Sequence, residues 1–415
     1  MAKKKNDAAE PAVEPAVAEA VVVPPTKVIK KHSRLDKMLV SDTLKAITKR
    51  HGVSIIRRAS EHHSAISQFI PSGSLSLDWV LGGGWRVGGI HTVWGPKSSG
   101  KTSTLLKTIG NAQQMCANCW NFAVFFNDAT GEVMDEPTCP CGKYRECVVG
   151  YINNEGTWSQ PWAINLGVNP DSLLLSEPEY AEQSLDIAEA LIRDGNIDIL
   201  AMDSIAFMTP EKEIEESASK ETMGVQPRVL GKGIRKFVAA LNHMGNTTGR
   251  KPTVFFTNQV RMKLGMLFGN PETQPGGMAP QFAATTEVKF RTAKYEIEKD
   301  KEEKEAPDVD LKLVKPLSVL FSFKGEKNKQ GHAMMEGAFR VALNSNGDRK
   351  KGDVCDETVI MDEAERYDIL KKEGSKWACA GVPFSTKKEI EDLLVKDSAF
   401  KRLLSKRVME CLLAD

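Results

Sequence analysis

The sequence predicts an α/β fold: a mostly parallel central sheet flanked by helices, with an N-terminal helix/strand arm and a small α+β C-terminal domain. Three observations carry this. From residue 71 onward, short apolar runs alternate with amphipathic stretches of helical length, the pattern of βαβ units. The apolar run that ends at Gly95 breaks into a Gly/Ser-rich turn and then a helix. The composition, 41% hydrophobic and 27% charged over 415 residues, supplies a core of that size.

Residues 1–33 are a biased mix of Ala, Pro, Val, Glu and Lys that cannot bury a core, and they read as a disordered arm. Lys27, Lys30 and Lys31 within it either touch nucleic acid or stand solvated. Residues 34–70 hold a helix-like run and a short strand at 52–58. Such a pair must dock on its own core or on a neighbouring subunit, so the segment reads as an oligomerisation element. The core spans 71–330, with strands expected at 88–95, 147–153, 197–204 and 252–259 and helices at 101–115, 178–195 and 228–245. The strands are apolar along their whole length, as a parallel sheet covered on both faces requires. The charge-rich run 294–310 reads as an exposed loop between strands, and 331–415 as the C-terminal domain, helical over 357–374 and 387–413.

Lys+Arg 56 against Asp+Glu 55 leaves a net charge of +1, so any nucleic-acid contact must come from local arrangement and not from bulk charge. No run of eighteen apolar residues occurs, and no membrane partner is expected. The first residues lack an apolar leader, and the expected compartment is the reducing cytoplasm.

Gly95, Pro96, Lys97, Ser98, Ser99, Gly100, Lys101 and Thr102 satisfy G-x-x-x-x-G-K-[ST] between an apolar strand and a helix, with Ser103 next in line. Glycines let successive N–H groups turn inward around phosphates, Lys101 supplies a charge at the β/γ oxygens, and the Thr102 hydroxyl ligates Mg²⁺. Asp203 closes the apolar strand 197–204, where a carboxylate can orient Mg²⁺ and its waters or simply cap a helix. Glu155 ends the preceding strand on the same edge; it is placed to polarise an attacking water or to stand as a loop carboxylate.

The run from the phosphate loop through 282 resembles the RecA recombinase family of bacterial and phage type. Asn258, Gln259, Val260, Arg261, Met262 and Lys263, continuing to Gly277, are its most specific stretch, and 72–84, 95–103, 203–215 and 223–228 match as well. The similarity covers most of 34–330 and can be followed to about 380. It implies an ATP-dependent DNA recombinase that forms helical filaments on single-stranded DNA, pairs that strand with homologous duplex DNA, exchanges strands and hydrolyses ATP in a DNA-stimulated reaction. By the same resemblance, Glu155 is the catalytic glutamate, Trp162 stacks on adenine, and Gln259 senses the γ-phosphate. Two DNA-contacting loops fall at about 211–228 and 260–282. In and beside them Arg228, Arg235, Arg261 and Lys263 can pair with phosphates, Met223 and Met262 can wedge against bases, and Gly276 and Gly277 let backbone approach closely. Lys327 and Lys329 resemble a lysine pair that reaches the ATP of the adjacent subunit. The sequence departs from the family at Gln281, where a lysine commonly precedes the phenylalanine matched by Phe282, at Lys97, where a glutamate is common, and at Ser159, where an aspartate is common. A hexameric helicase or translocase on the same core is the alternative; a zinc-bearing DNA-binding or regulatory protein with an idle ATPase is a further one.

Five of the eight cysteines crowd between 116 and 147, a local site and not a chain-wide framework. The RecA pattern passes here in a few residues, so 116–146 reads as an insertion. Cys116, Cys119, Cys139 and Cys141 offer four thiolates for a structural Zn²⁺, with Cys147 as a competing ligand; unliganded reduced thiols and a redox switch are the other readings. Cys355, Cys379 and Cys411 are isolated and read as packing residues.

Overall fold

The computed structural model describes residues 41–51, 56, 68–126, 133–217, 224–262, 269, 271–296 and 316–414. The chain divides into two units, 1–58 and 59–415. The first contains the helix Asp42–His51, acidic in its first turn and basic in its last, the charge order its dipole favours. The arm at 1–33 and almost all of the strand expected at 52–58 lie outside the described residues.

In the second unit, β1 (Phe69–Ile70) pairs with β2 (Trp85–Arg86) around the helix Leu75–Leu81, whose N-terminus is capped by the Ser74 side chain. β3 (Ile90–Gly95) feeds the helix Lys101–Gln113. β4 (Val124–Phe126) and β5 (Val133–Thr138) form an antiparallel hairpin in the Cys-rich stretch. β6 (Val149–Asn153), β7 (Leu173–Ser176), β8 (Ile199–Asp203) and β9 (Thr253–Gln259) alternate with the helices Gln160–Asn165, Ala181–Asp194 and Val225–Thr247. A short ribbon, β10 (Arg261–Met262) with β11 (Glu272–Thr273), precedes the helix Ala279–Ala283. β12 (Thr286–Phe290), β13 (Lys294–Glu296), β14 (Ser318–Asn328) and β15 (Glu336–Ala342) complete the main sheet. A small antiparallel sheet of β16 (Leu370–Glu373), β17 (Lys376–Cys379) and β18 (Val382–Phe384) lies between the helix Glu357–Arg366 and the helices Lys387–Lys396 and Ser398–Ala414.

The main sheet runs β13-β14-β12-β3-β9-β8-β6-β7, with β15 also on β14. From β12 to β7 all neighbours are parallel; β13, β14 and β15 add an antiparallel flank. Each parallel strand splits its side chains between two cores. On one face Val93, Tyr151, Ile199 and Phe255 meet Leu105 and Ile109 of the Lys101–Gln113 helix. On the other, Ile152, Leu200, Met202 and Phe256 meet Leu185, Ile234 and Phe237 of the two long helices. A third core joins Leu75 to Ile360, Ile390, Leu404 and Val408, which seats the C-terminal helices against the helix Leu75–Leu81.

Several elements differ from the sequence expectation. The helix expected over 357–374 stops at Arg366, because Asp368 turns with φ 59° into the β16–β17 hairpin. The run 387–413 is two helices: Asp397 is extended, and its Oδ1 accepts the N–H groups of Ala399 and Phe400 to start the second. Lys294–Glu296, expected in a loop, is a strand on β14, while the remainder of 294–310 lies outside the described residues. β15 lies beyond residue 330 and still belongs to the central sheet.

The phosphate-loop helix is pressed against the turn that follows the Gln160–Asn165 helix. Gly→Ala inside a helix ordinarily stabilises by about 0.5–1 kcal/mol. A Cβ on Gly110, however, would stand 2.6 Å from the Gly167 carbonyl carbon and 2.8 Å from its oxygen. Gly110→Ala is therefore expected to destabilise, by about 1–3 kcal/mol. Calorimetry checks this; an unchanged or raised Tm would mean that the turn yields.

Candidate functional site

Because β3, β6, β8 and β9 are parallel, they end on one edge, and that edge gathers the polar residues singled out in the sequence. Gly95 lies in register with Gln259, and Asn153 with Asp203. The loop after β3 requires glycine at Gly100: φ is 97°, and a Cβ there would lie 2.6 Å from the Phe321 ring. Lys101 is buried, its Nζ donating to the carbonyls of Gly95 at 3.1 Å and Pro96 at 2.6 Å. Burial lowers its pKa, while the carboxylates of Glu155 and Asp203 oppose the shift.

Asp203 is 5% exposed and collects three hydroxyl groups. Thr102 Oγ1 donates to its Oδ2 at 2.8 Å, Tyr151 Oη to the same oxygen at 2.7 Å, and Thr257 Oγ1 to Oδ1. Burial, reinforced by Asp203, raises the Tyr151 pKa well above the usual phenol range, so it remains an O–H donor. The loop with Glu155 is pinned to this strand end: the N–H groups of Asn154 and Glu155 donate to the Asp203 carbonyl at 2.8 and 3.3 Å. Ser103, in the first turn after the phosphate loop, accepts the Trp162 indole N–H at 3.2 Å. Trp162 lines an open cleft of about 360 Å³ with Pro316, Leu343, Asn344 and Lys351, and the Lys351 ammonium stands 5.6 Å above its ring.

Beyond Gln259, half-buried at the end of β9, the chain enters the β10–β11 ribbon. Asn258 is fully buried and donates to Gln274 Oε1 at 3.2 Å and the Pro275 carbonyl at 3.1 Å, which ties the returning arm of the loop to β9. Arg261, Gly276 and Gly277 line a second cleft of about 550 Å³ with Gly224, Gln226 and Pro227 at the start of the Val225–Thr247 helix. Gly276 and Gly277 have φ of 91° and 78°, backbone that side chains rarely adopt. Arg228, Arg235, Arg261 and Met262 are exposed on this side of the molecule; Met223 and Lys263 lie outside the described residues.

Lys327 and Lys329 lie back along the sheet from the phosphate loop. β14 is antiparallel to β12, and Lys327 is in register with Glu287, which is in register with Thr92. Thr92 precedes Gly95 by three residues, about 10 Å of strand. Lys327 donates to the Gln281 carbonyl, beside Phe282, which is 72% exposed.

The RecA N-terminal domain family matches residues 38–130 and 139–325. This chain belongs to the RecA family. It is 32% identical to Protein RecA of Fusobacterium nucleatum over 354 residues, 85% of this chain and 78% of that one. It is 31% identical to Protein RecA of Listeria ivanovii over 377 residues, 89% and 91% of the two chains, and 36% identical to that of Bacillus pumilus over 251 residues, 60% and 62%. Its activity is accordingly that of an ATP-dependent recombinase, with DNA-dependent ATP hydrolysis. The helicase alternative is not favoured.

The RecA family match breaks at 131–138, inside the Cys-rich stretch. There the sulfurs of Cys116, Cys119, Cys139 and Cys141 all lie within 4.8 Å of one another, with Cys116 to Cys141 at 3.8 Å and Cys139 to Cys141 at 3.2 Å. Burial works to raise the Cys116 pKa, but N–H groups from Asn118, Arg145 and Cys119 aimed at its sulfur bring it down to about 7. Cys147, expected to compete as a ligand, is not in the group. It is fully buried in the core beneath β6, where burial raises its pKa well above the usual thiol range. Arg145 joins the cluster to the core, donating to the Ala117 carbonyl and to Asn118 while pairing both its terminal nitrogens with the buried Asp198 just before β8.

Sequence reasoning missed Tyr151 and Thr257, since an apolar strand gives no sign that one of its polar members faces a carboxylate on the neighbouring strand; it named Asn258 but not its bonds to Gln274 and Pro275. Tyr151→Phe removes a donor to a buried charge and is expected to cost about 1.5–3 kcal/mol of stability. Urea unfolding measures it; a midpoint matching the wild type would mean that Thr102 and Thr257 alone satisfy Asp203.

Proposed function

We propose that this chain polymerises on single-stranded DNA as a helical filament, holds ATP between adjacent subunits, pairs its strand with homologous duplex DNA, and uses hydrolysis to let go. The observation that supports this best is the convergence of Lys101, Thr102, Asp203, Glu155 and Gln259 on one sheet edge, with Gln259 in register with the first residue of the phosphate loop.

ATP and Mg²⁺ suit this donor set. Thr102 and Asp203 place a hydroxyl and a carboxylate 2.8 Å apart, the pair that holds the cation and its waters in phosphate-loop enzymes. Bound there, Mg²⁺ would screen the charge of the β/γ oxygens. Lys101 exchanges its carbonyl partners for the phosphates, a cation already desolvated and so drawn strongly to them. Glu155 takes a proton from the attacking water. Trp162 offers an aromatic face to adenine within the cleft that also contains Asn344 and Lys351. The Gln259 amide donates to the γ-phosphate; when that oxygen departs, the loop it leads into loses a fixed point.

Lys327 and Lys329 favour self-association. They sit toward the opposite end of the sheet from their own phosphate loop, so a role at ATP requires a neighbouring subunit's nucleotide. Exposed Phe282, beside them, is available to the same contact. The segment 34–70, up to where Phe69–Ile70 pair with β2 of the same chain, serves as the complementary docking element. Arg228, Arg235, Arg261 and Met262, with the Gly276–Gly277 backbone, form the DNA-facing surface, joined by Met223 and Lys263.

Cys116, Cys119, Cys139 and Cys141 hold a structural Zn²⁺. Tetrahedral bonds of about 2.3 Å put sulfurs about 3.8 Å apart, close to the observed spacing. The four sulfurs close the shell, so the site is structural and not catalytic.

Two outcomes are expected. Glu155→Gln should retain ATP binding, slow turnover by about two to four orders of magnitude and leave filaments standing in ATP under the electron microscope. Normal turnover would remove Glu155 from the chemistry, and closed rings in place of filaments would favour a translocase. Elemental analysis should find one zinc per chain, lost in Cys116→Ser and kept in Cys147→Ser. A zinc-free wild type whose thiols all titrate freely would end the metal reading.

A further inference from the structure

We propose that Lys289 is a positioning residue that couples the root of the second DNA-contacting loop to the phosphate-loop strand and to the strand bearing Lys327. The inference rests on the reading of 260–282 as a DNA loop. Lys289 lies on β12 with its side chain 14% exposed, and its ammonium pairs with Glu272 on β11, the strand by which that loop returns to the core. The same ammonium stands 4.7 Å from the Trp94 ring centroid. Trp94 is the residue before Gly95, and its indole N–H donates to Glu326 Oε2 at 3.1 Å; Glu326 in turn directly precedes Lys327. One half-enclosed cation thus links a carboxylate on the loop, an aromatic ring at the mouth of the phosphate loop, and a carboxylate beside the lysine assigned to the neighbour's ATP.

The physical content is a shared counter-charge. Burial raises the Glu326 pKa and Lys289 is the largest opposing influence, ahead of the Trp94 hydrogen bond and Lys324, while Glu272 adds to the rise. Two carboxylates therefore share the field of one partly enclosed ammonium, with Lys324 as a second cation near Glu326. A shift of β11 that pulls Glu272 away, or pushes it closer, redistributes Lys289 between them and over the Trp94 face. Asn258 grips the same returning arm at Gln274 and Pro275 from β9. The loop root is thus held by two struts, one continuous with Gln259 and one with Lys327. No step of ATP hydrolysis requires Lys289, which touches none of the proposed phosphate-binding residues.

The test uses the full-length protein and three variants, Lys289→Met, Glu272→Gln and Lys289→Arg, with the double variant Lys289→Met/Glu272→Gln. Single-stranded oligonucleotide affinity is measured with a slowly hydrolysed ATP analogue and with ADP, and ATPase activity is measured without DNA. Each neutralising variant should reduce the analogue-to-ADP affinity ratio by about twofold to thirtyfold. DNA-free ATPase should stay at the wild-type level, Lys289→Arg should keep the ratio, and the double variant should lose no more than the worse single one. A large wild-type ratio that survives Lys289→Met and Glu272→Gln overturns the coupling alone, as does an additive double variant. A wild-type ratio near one overturns the loop reading and this inference with it.

Discussion

The structure depends on a buried carboxylate at the end of a parallel strand. Asp203 cannot sit in the core uncompensated, and three hydroxyl groups from three different elements converge on it: Thr102 from the phosphate-loop helix, Tyr151 from β6 and Thr257 from β9. These contacts hold in place the strand ends from which Lys101, Glu155 and Gln259 extend. A lysine and a second carboxylate are added at the same edge, so the pocket carries opposed charges before any nucleotide enters. Hydrogen bonds to Asp203 therefore do two jobs: they satisfy a buried charge and they register the loops that bind phosphate.

The sheet holds two sets of charged residues apart. Its parallel strands deliver the phosphate-binding groups to one edge, and the antiparallel return of β14 carries Lys327 and Lys329 toward the other. On the proposed reading the two groups would meet at a nucleotide only between adjacent subunits, and ATP would then be a ligand of the filament joint as well as a substrate.

The Cys-rich element is attached to this machinery without entering it. Arg145 bonds it to Asp198 at the start of β8, Gln68 donates to the Cys119 carbonyl, and Arg402 of the C-terminal helix lies 4.8 Å over the Phe122 ring. Its contacts reach the beginning of β8, far along the strand from Asp203, so the module braces the back of the sheet while the chemistry sits at the front. That division agrees with the proposed structural metal site, whose four sulfurs lie within 4.8 Å of one another.

The phosphate loop, the alternation of buried strands with helices, and the run through Gln259 were legible in the sequence because each is a local pattern: a loop needs its glycines, and a parallel strand needs apolar residues on both faces. Local chemistry also announced the four clustered thiols. The four that meet are the four the spacing singled out; that Cys147 stays apart from them was not legible. Cys147 is close in sequence to Cys141, yet the strand it precedes draws it into the core. The C-terminal breaks at Asp368 and Asp397 escaped notice because helical periodicity continues through both. The partners of Tyr151, Thr257, Asn258 and Lys289 were invisible for a common reason. Each of these four residues sits on a strand of the central sheet, and only the order in which the chain lays its strands side by side decides what such a residue will face.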